Sequence, residues 1–289
     1  MLIVRFLQGV GAAALSIASA ALVADYFPDG RARAFGVYNA IKGAGYVLSP
    51  VIGGAIVWAS SFSMIFLACF AVGVGAFVLC LGLPRASRAH ELDADDDALT
   101  IGVLVEAVQD RALRPWYAII VVNMFLVGIL FGFLPVYVHA LGYDQLSNGL
   151  FVASATASYL LVQPLAGVLA DRLNAARVMS AGLVLSSLGV LLVPFTTGVS
   201  LVAVCIAGGL GVGTVWTNSD AMVSRLAAQG RTASALGVAG SFKELGDMLG
   251  PILIGGLTQA FGLKVAFVAC GGLGLSSILL LVFAERGRT

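Results

Sequence analysis

Nine stretches of this chain are each long enough and apolar enough to cross a bilayer, which removes most folds from consideration. They are Met1–Asp25, Phe35–Trp58, Phe62–Leu83, Pro115–Ala140, Leu146–Ala170, Ala176–Phe195, Val199–Val223, Ala233–Phe261 and Val265–Ala284. Each reaches the ~20 residues that hydrocarbon requires. In lipid every backbone amide must be satisfied within its own segment, so these runs are helices. Only 11% of the 289 residues are charged, against roughly 25% in soluble domains, so a polar coat is lacking. The expected fold class is all-α, a polytopic membrane protein of about nine transmembrane helices.

The placement of charge sets the topology. With Arg286 and Arg288 assigned to the cytoplasm, alternating sides backwards puts Arg225, Arg231, Arg172, Arg177, Arg85, Arg88, Arg111, Arg114, Arg31 and Arg33 on the same side. The opposite loops hold only Lys264. Such a bias satisfies the positive-inside rule and predicts an integral plasma-membrane (inner-membrane) protein with a cytoplasmic C-terminus.

The chemistry-bearing residues are few. Cys69, Cys80, Cys205 and Cys270 fall inside expected spans and read as small packing residues. With His90 and His139 well apart, no metal site or cofactor is expected. A net charge of +1 gives no reason to expect nucleic acid; the expected partners are the bilayer and a small-molecule substrate. No phosphate-binding Gly-x-x-x-x-Gly-Lys-Ser/Thr loop exists, nor a G-x-S-x-G or H-E-x-x-H motif, so neither an ATP-driven pump nor an enzyme is expected.

An internal repeat organises the spans. A shift of 201 residues superposes Ala34, Gly36, Val37, Lys42, Gly45, Pro50 and Gly54 on Ala235, Gly237, Val238, Lys243, Gly246, Pro251 and Gly255. Duplicated bundles are common among transporters, and this repeat makes the second and eighth spans equivalents, six helices apart. Residues 115–289 then form a complete six-helix bundle, and residues 1–84 the last three helices of an earlier one. The first three helices of that bundle are expected to be missing. Between them, residues 85–114 read as a cytoplasmic linker with Glu91, Asp93, Asp95, Asp96 and Asp97 and room for a short surface helix over Ala98–Gln109.

Three motifs carry a family resemblance. Arg5-Phe6-Leu7-Gln8-Gly9 resembles the R-x-x-Q-G signature of the fourth helix of the major facilitator superfamily. Gly45 to Gly54, with Ser49-Pro50 and Gly53-Gly54, is similar to the G-x-x-x-G-P-x-x-G-G signature of its drug:proton antiporters, with Ser49 in place of a glycine. Gly167-Val168-Leu169-Ala170-Asp171-Arg172-Leu173-Asn174-Ala175-Ala176-Arg177 resembles the loop between the eighth and ninth helices, with Asn174 where glycine is usual. Asparagine tolerates left-handed backbone angles, which is the expectation for Asn174. The resemblance covers essentially the whole chain and implies a partial major facilitator fold, transport by alternating access, and protons as the coupling ion.

Each motif also has a plain physical reading. Gly45, Gly53 and Gly54, and in the repeat Gly246, Gly250, Pro251, Gly255 and Gly256, let a neighbouring backbone approach closely, while Pro50 bends its helix. Asp171 is expected just ahead of a helix N-terminus, where the helix dipole favours a carboxylate; Arg172 and Arg177 hold the topology or serve a gate.

An ionisable group deep in a span costs at least ~2.5 kcal/mol and normally faces a cavity or a partner. Arg5 and Gln8 share a face; the resemblance implies a proton-transfer role for this arginine, and snorkelling to water is the alternative. Lys243, Glu244 and Asp247 lie ~15–20 Å in from the end of the eighth span. Lys243 and Asp247 are spaced to pair, leaving Glu244 the freer carboxylate. Trp216, Asn218 and Asp220 neighbour one another on the seventh span, and Asp220 is within reach of Arg225. Asn123, Tyr137, Tyr159 and Gln163 add polar groups to a cavity or act as interhelical glue.

The function expected is secondary active transport, proton-coupled efflux of a small organic molecule or drug. The alternatives are a proton-linked importer of an organic acid or sugar, and a truncated, non-transporting remnant. Met1–Ala21 also admits reading as a signal peptide cleaved near Ala18-Ser19-Ala20, though Gln8, Gly9 and Gly11 interrupt its apolar region.

Overall fold

The structure, a computed structural model, describes residues 3–4, 6–11, 15, 19, 31–82, 108–110, 113–226 and 232–286. Its helices, numbered here in chain order, are α1 (Arg31–Ala59), α2 (Phe62–Leu81), α3 (Arg114–Val127), α4 (Leu134–Ala140), α5 (Gln145–Arg172), α6 (Ala175–Leu192), α7 (Gly198–Leu226), α8 (Thr232–Phe261) and α9 (Leu263–Arg286). A π-helical segment, Gly128–Phe133, joins α3 to α4, and a 3-10 turn, Val193–Phe195, follows α6. No strand occurs among the described residues, so the fold is all-α.

Six helical segments among the described residues are long and apolar enough to cross a membrane, with Leu263–Leu279 as a shorter apolar helix. The eighth expected span is the single helix α8, which carries Lys243, Glu244 and Asp247 in its middle. The first expected span and the surface helix over 98–109 fall mostly outside the described residues.

The chain divides into two compact units, residues 1–46 with 62–98, and residues 47–61 with 99–289. In the first unit Ser19 Oγ and Tyr38 OH hydrogen-bond at 2.8 Å. Helix α2 has no buried residue.

The second unit is the bundle proper. Its outer surface is leucine-rich, with Leu161 74% and Leu165 62% exposed, whereas Ser186 and Ser187 are fully buried and Asn218 is 1% exposed. Lipid is as apolar as leucine, so packing, not hydrophobic drive, selects the interior, and small residues belong there. Helix α7 supplies them to both its neighbours. A Cβ on Gly209 would strike the Ala155 carbonyl of α5, and one on Gly213 the Tyr159 carbonyl; one on Gly211 would strike the Ser186 amide of α6. Gly209 and Gly213 are one turn apart, so one face of α7 lies against α5 while Gly211 meets α6. Ser158 donates to the Ala155 carbonyl and Thr214 to the Leu210 carbonyl, each within its own helix.

Two connections are set by local chemistry. Gly262 alone joins α8 to α9 at φ 88°, a left-handed angle that glycine adopts at little cost. Asn174 has φ −87° and ψ 120°, and its side-chain oxygen accepts from the amides of Ala176 at 2.9 Å and Arg177 at 3.4 Å. It is therefore the N-cap of α6, which corrects the left-handed expectation. The Asp171 backbone belongs to the last turn of α5, with Asn174 in the capping place expected of a carboxylate.

Candidate functional site

The π-helical segment is the first irregularity that bears on a site. Pro135 has no amide hydrogen, so the helix there cannot keep its usual ladder, and Leu134 N–H bonds back to the Ile129 carbonyl, five residues earlier. Such segments interrupt helices mostly at functional positions. Opposite it lies the Pro251 stretch of α8: a Cβ on Gly128 would sit 3.9 Å from Pro251 and 3.7 Å from Ile254, and one on Gly255 3.9 Å from Phe133.

From this segment a run of aromatic rings crosses the bundle. Phe131 meets Tyr159 of α5 edge-on at 5.9 Å between centroids, and Tyr159 meets Trp216 of α7 edge-on at 6.1 Å. Over the Trp216 ring lies Lys243 Nζ of α8, 4.5 Å from the centroid. An ammonium over an indole face is attracted by the ring quadrupole, worth ~0.5–2 kcal/mol depending on desolvation. Three helices and the π segment thus converge on one lysine near the middle of α8. Gln163 lies one turn beyond Tyr159 on α5 and is half-buried.

Asn218 sits beside this ladder at the α5–α7 contact. Its amide donates to the Thr214 carbonyl at 2.9 Å and to the Ala166 carbonyl at 3.5 Å, while its own oxygen has no protein partner. Asn123 on α3 is 2% exposed, and its side-chain oxygen likewise lacks a partner. Tyr137 donates to the Pro194 carbonyl at 3.3 Å and so ties α4 to the turn after α6. Glu244 and Asp247 are exposed.

The remaining expected site residues are distributed as follows. Arg5 lies outside the described residues, and Gln8 is exposed on a helical stretch. The backbone of Asp220 lies in α7, but its side chain, like that of Asp171, lies outside the described residues. Arg172 and Arg177 are exposed, and Gly167 has Thr217 as its neighbour. Among the motif glycines, a Cβ on Gly54 would strike the Gln145 carbonyl and one on Gly149 the Pro50 carbonyl, so α1 and α5 cross there backbone to backbone. Gly53 is half-buried beside that crossing. Gly246 and Gly250 lie against Met124 and Phe125 of α3. Around Gly45 nothing lies within 4 Å, so the close approach expected there is absent among the described residues.

Comparison with known proteins settles the family. The model of the Major Facilitator Superfamily matches residues 1–158 and 121–289. The chain belongs to this superfamily. Similar proteins include the multidrug resistance protein Stp of Mycobacterium tuberculosis, 26% identical over 89% of this chain. The nitrite extrusion protein of Bacillus subtilis is 28% identical over 98% of it, and the quinolone resistance protein NorA of Staphylococcus aureus 26% identical over 55%. The chain spans 58% of the length of Stp, 72% of the nitrite extrusion protein and 42% of NorA. With its apolar helices, this superfamily member is an integral membrane protein.

Phe131 and the π segment escaped the sequence reading. The signals were Gly128 and Gly132 four residues apart, followed by Pro135 within one apolar run.

Proposed function

We propose that the chain acts in secondary active transport, exporting a small organic molecule in exchange for protons. The observation that carries this reading is the Phe131–Tyr159–Trp216 ladder ending on Lys243, near the middle of α8 among the helices of a superfamily bundle. Rings bind flat organic guests through their faces, and a mid-span charge favours a cavity. The multidrug and quinolone resistance proteins among the relatives support an organic substrate. In this reading Trp216, Gln163, Asn123 and Asn218 line the cavity, and Arg5, Gln8, Asp220, Lys243, Glu244 and Asp247 serve coupling. Gly167, Asp171 and Arg172 at the end of α5 and Arg177 at the start of α6 flank a connection on the cytoplasmic side of the plasma membrane, the same side as the C-terminus. Bundles rocking about the midplane site would expose it to each side in turn.

Substrate-dependent proton flux in vesicles containing the full-length gene product tests the proposal; no flux with any organic substrate would sink it. A second reading, export of a small inorganic anion, is favoured by the cationic end of the ladder and by the nitrite extrusion relative. Counterflow under opposite pH gradients, with organic and inorganic substrates in parallel, separates the two and fixes the direction.

A further inference from the structure

Resting on the cavity reading above, we infer that Asn148 is a positioning residue for the aromatic ladder: it holds the π segment in place and so keeps Phe131 against Tyr159. π-Helical backbone is rare, so its surroundings must hold it. The segment runs straight into α4, whose first turn contains Pro135. Asn148 Nδ2 of α5 donates to the Pro135 carbonyl at 2.8 Å. A carbonyl only accepts, so the nitrogen of the amide is the end that faces it. Asn148 Oδ1 has no protein partner, and the residue is 8% exposed. The bond is thus a directed donation made by a buried side chain whose other end goes unmatched.

The turn that carries Asn148 makes it a firm anchor. Asp144 caps this turn by accepting the Ser147 amide at 2.9 Å. On either side of Asn148 backbone meets backbone: a Cβ on Gly54 of α1 would strike the Gln145 carbonyl, and one on Gly149 the Pro50 carbonyl. No flexible side chain intervenes at either contact, so the first turn of α5 cannot shift without moving α1 as well. From that fixed point α5 grips the segment twice. Asn148 takes the Pro135 carbonyl, and Tyr159, about three turns along and hence on the same face, meets the Phe131 ring edge-on at 5.9 Å. Release of the first grip leaves the segment to the second alone, and the ring that starts the ladder loses its fixed place.

Amide hydrogen exchange of the full-length protein in lipid nanodiscs, read by mass spectrometry, tests the inference. Asn148→Leu keeps the volume and removes the donor. Asn148→Asp keeps the shape and, when ionised, offers only acceptors to the Pro135 carbonyl. Both are expected to speed exchange at residues 128–134 about tenfold, the effect of leaving one buried acceptor without its donor. The α6–α7 seam around Gly211 should exchange as in the parent. As pH falls from about 7 to about 4, the carboxyl introduced by Asn148→Asp takes up a proton and can donate again, so exchange should return toward that of the parent. Each comparison is made with the parent at the same pH, so that His139 and Asp144 cancel. This recovery covers the case in which Asn148→Leu fails to fold. Unchanged exchange at 128–134, a rise shared equally by the seam, or no recovery at low pH overturns the inference.

Calorimetry with 2-naphthalenemethanol, a flat neutral probe, separates the inference from the cavity reading. Asn148→Leu is expected to weaken the probe several-fold, as loss of one aromatic contact does, and to add nothing in a Phe131→Ala background. A probe bound by no variant and not by the parent, with exchange rising as described, removes the cavity reading and leaves Asn148 as the holder of the segment. A probe bound by the parent, with exchange at 128–134 unmoved by either substitution, sinks the inference and leaves the cavity reading standing.

Discussion

Gly211→Ala is the substitution whose effect the packing fixes most tightly. The added methyl would lie on the Ser186 amide and the Gly182 carbonyl, with Ser186 Cα at 2.6 Å. Ordinary carbon contacts begin near 3.4 Å, so α6 and α7 must part by at least about 0.8 Å, since the Ser186 amide and Gly182 carbonyl are nearer still, and no flexible side chain stands there to give way. Overpacking of this kind costs ~1–3 kcal/mol. At roughly 2–4 °C per kcal/mol for a unit of this size, a cost of ~2 kcal/mol lowers Tm by about 4–8 °C. Thermal unfolding in detergent, followed by light scattering, reads the shift. Gly256→Ala is the companion variant: nothing lies within 4 Å of its added carbon, and alanine is the better helix former by ~0.5–1 kcal/mol, so its Tm should stay or rise slightly. A Gly211→Ala protein as stable as the parent, or equal losses in both variants, refutes the glycine seam.

At the start of α6, Asn174→Ser should keep stability, because serine caps as well as asparagine, whereas Asn174→Ala should cost ~1 kcal/mol; thermal unfolding of the pair distinguishes a cap from a left-handed turn, which neither residue would suit. Asp144 caps α5 by accepting the Ser147 amide at 2.9 Å, and hydrogen bonds from the Ser147 side chain and backbone hold its carboxyl below the ordinary 3.8. Its contribution is thus fully present above that value and is lost as pH falls through the lowered one; Tm measured between pH 5 and the acid limit should fall less steeply in Asp144→Asn, and an unchanged slope would contradict the capping role. Asn218→Ala, which removes the donation across to the Ala166 carbonyl of α5, should cost about 0.6 kcal/mol, the usual worth of an interhelical bond in a bundle, read as a Tm loss of a few degrees at most.

The spans were legible because their cause is one length scale. Each expected span from the second to the ninth coincides with a described helical segment to within four residues at either end, since long apolar runs fix where a helix must continue, although the eighth, with Lys243, Glu244 and Asp247, is not among the segments apolar enough to cross a membrane. The indole beneath Lys243 was not legible. Spacing along one helix reports neighbours on that helix, whereas Trp216 comes from α7 and reaches the lysine only through the crossing of α7 and α8. Asn174 was misread for a related reason: a family position that favours glycine carries no dihedral angle of its own, and here the chain uses an asparagine to start a helix. Gly45 and Gly54 belong to one motif, yet only Gly54 meets a neighbouring backbone among the described residues. The composition of a helix does not say which of its glycines a neighbour will reach.

In the proposed transport cycle the ladder lines a cavity open to each side of the membrane in turn. Gln163→Cys, in a full-length background with Cys69, Cys80, Cys205 and Cys270 replaced by alanine, places one thiol on that wall. Its labelling by a membrane-impermeant maleimide, applied from one side at a time, is the most direct measurement. Reaction from both sides is expected, in proportions that shift with the imposed pH gradient, with protection by a bound aromatic substrate. A thiol reached from one side only under every gradient, or from neither, would contradict that cycle.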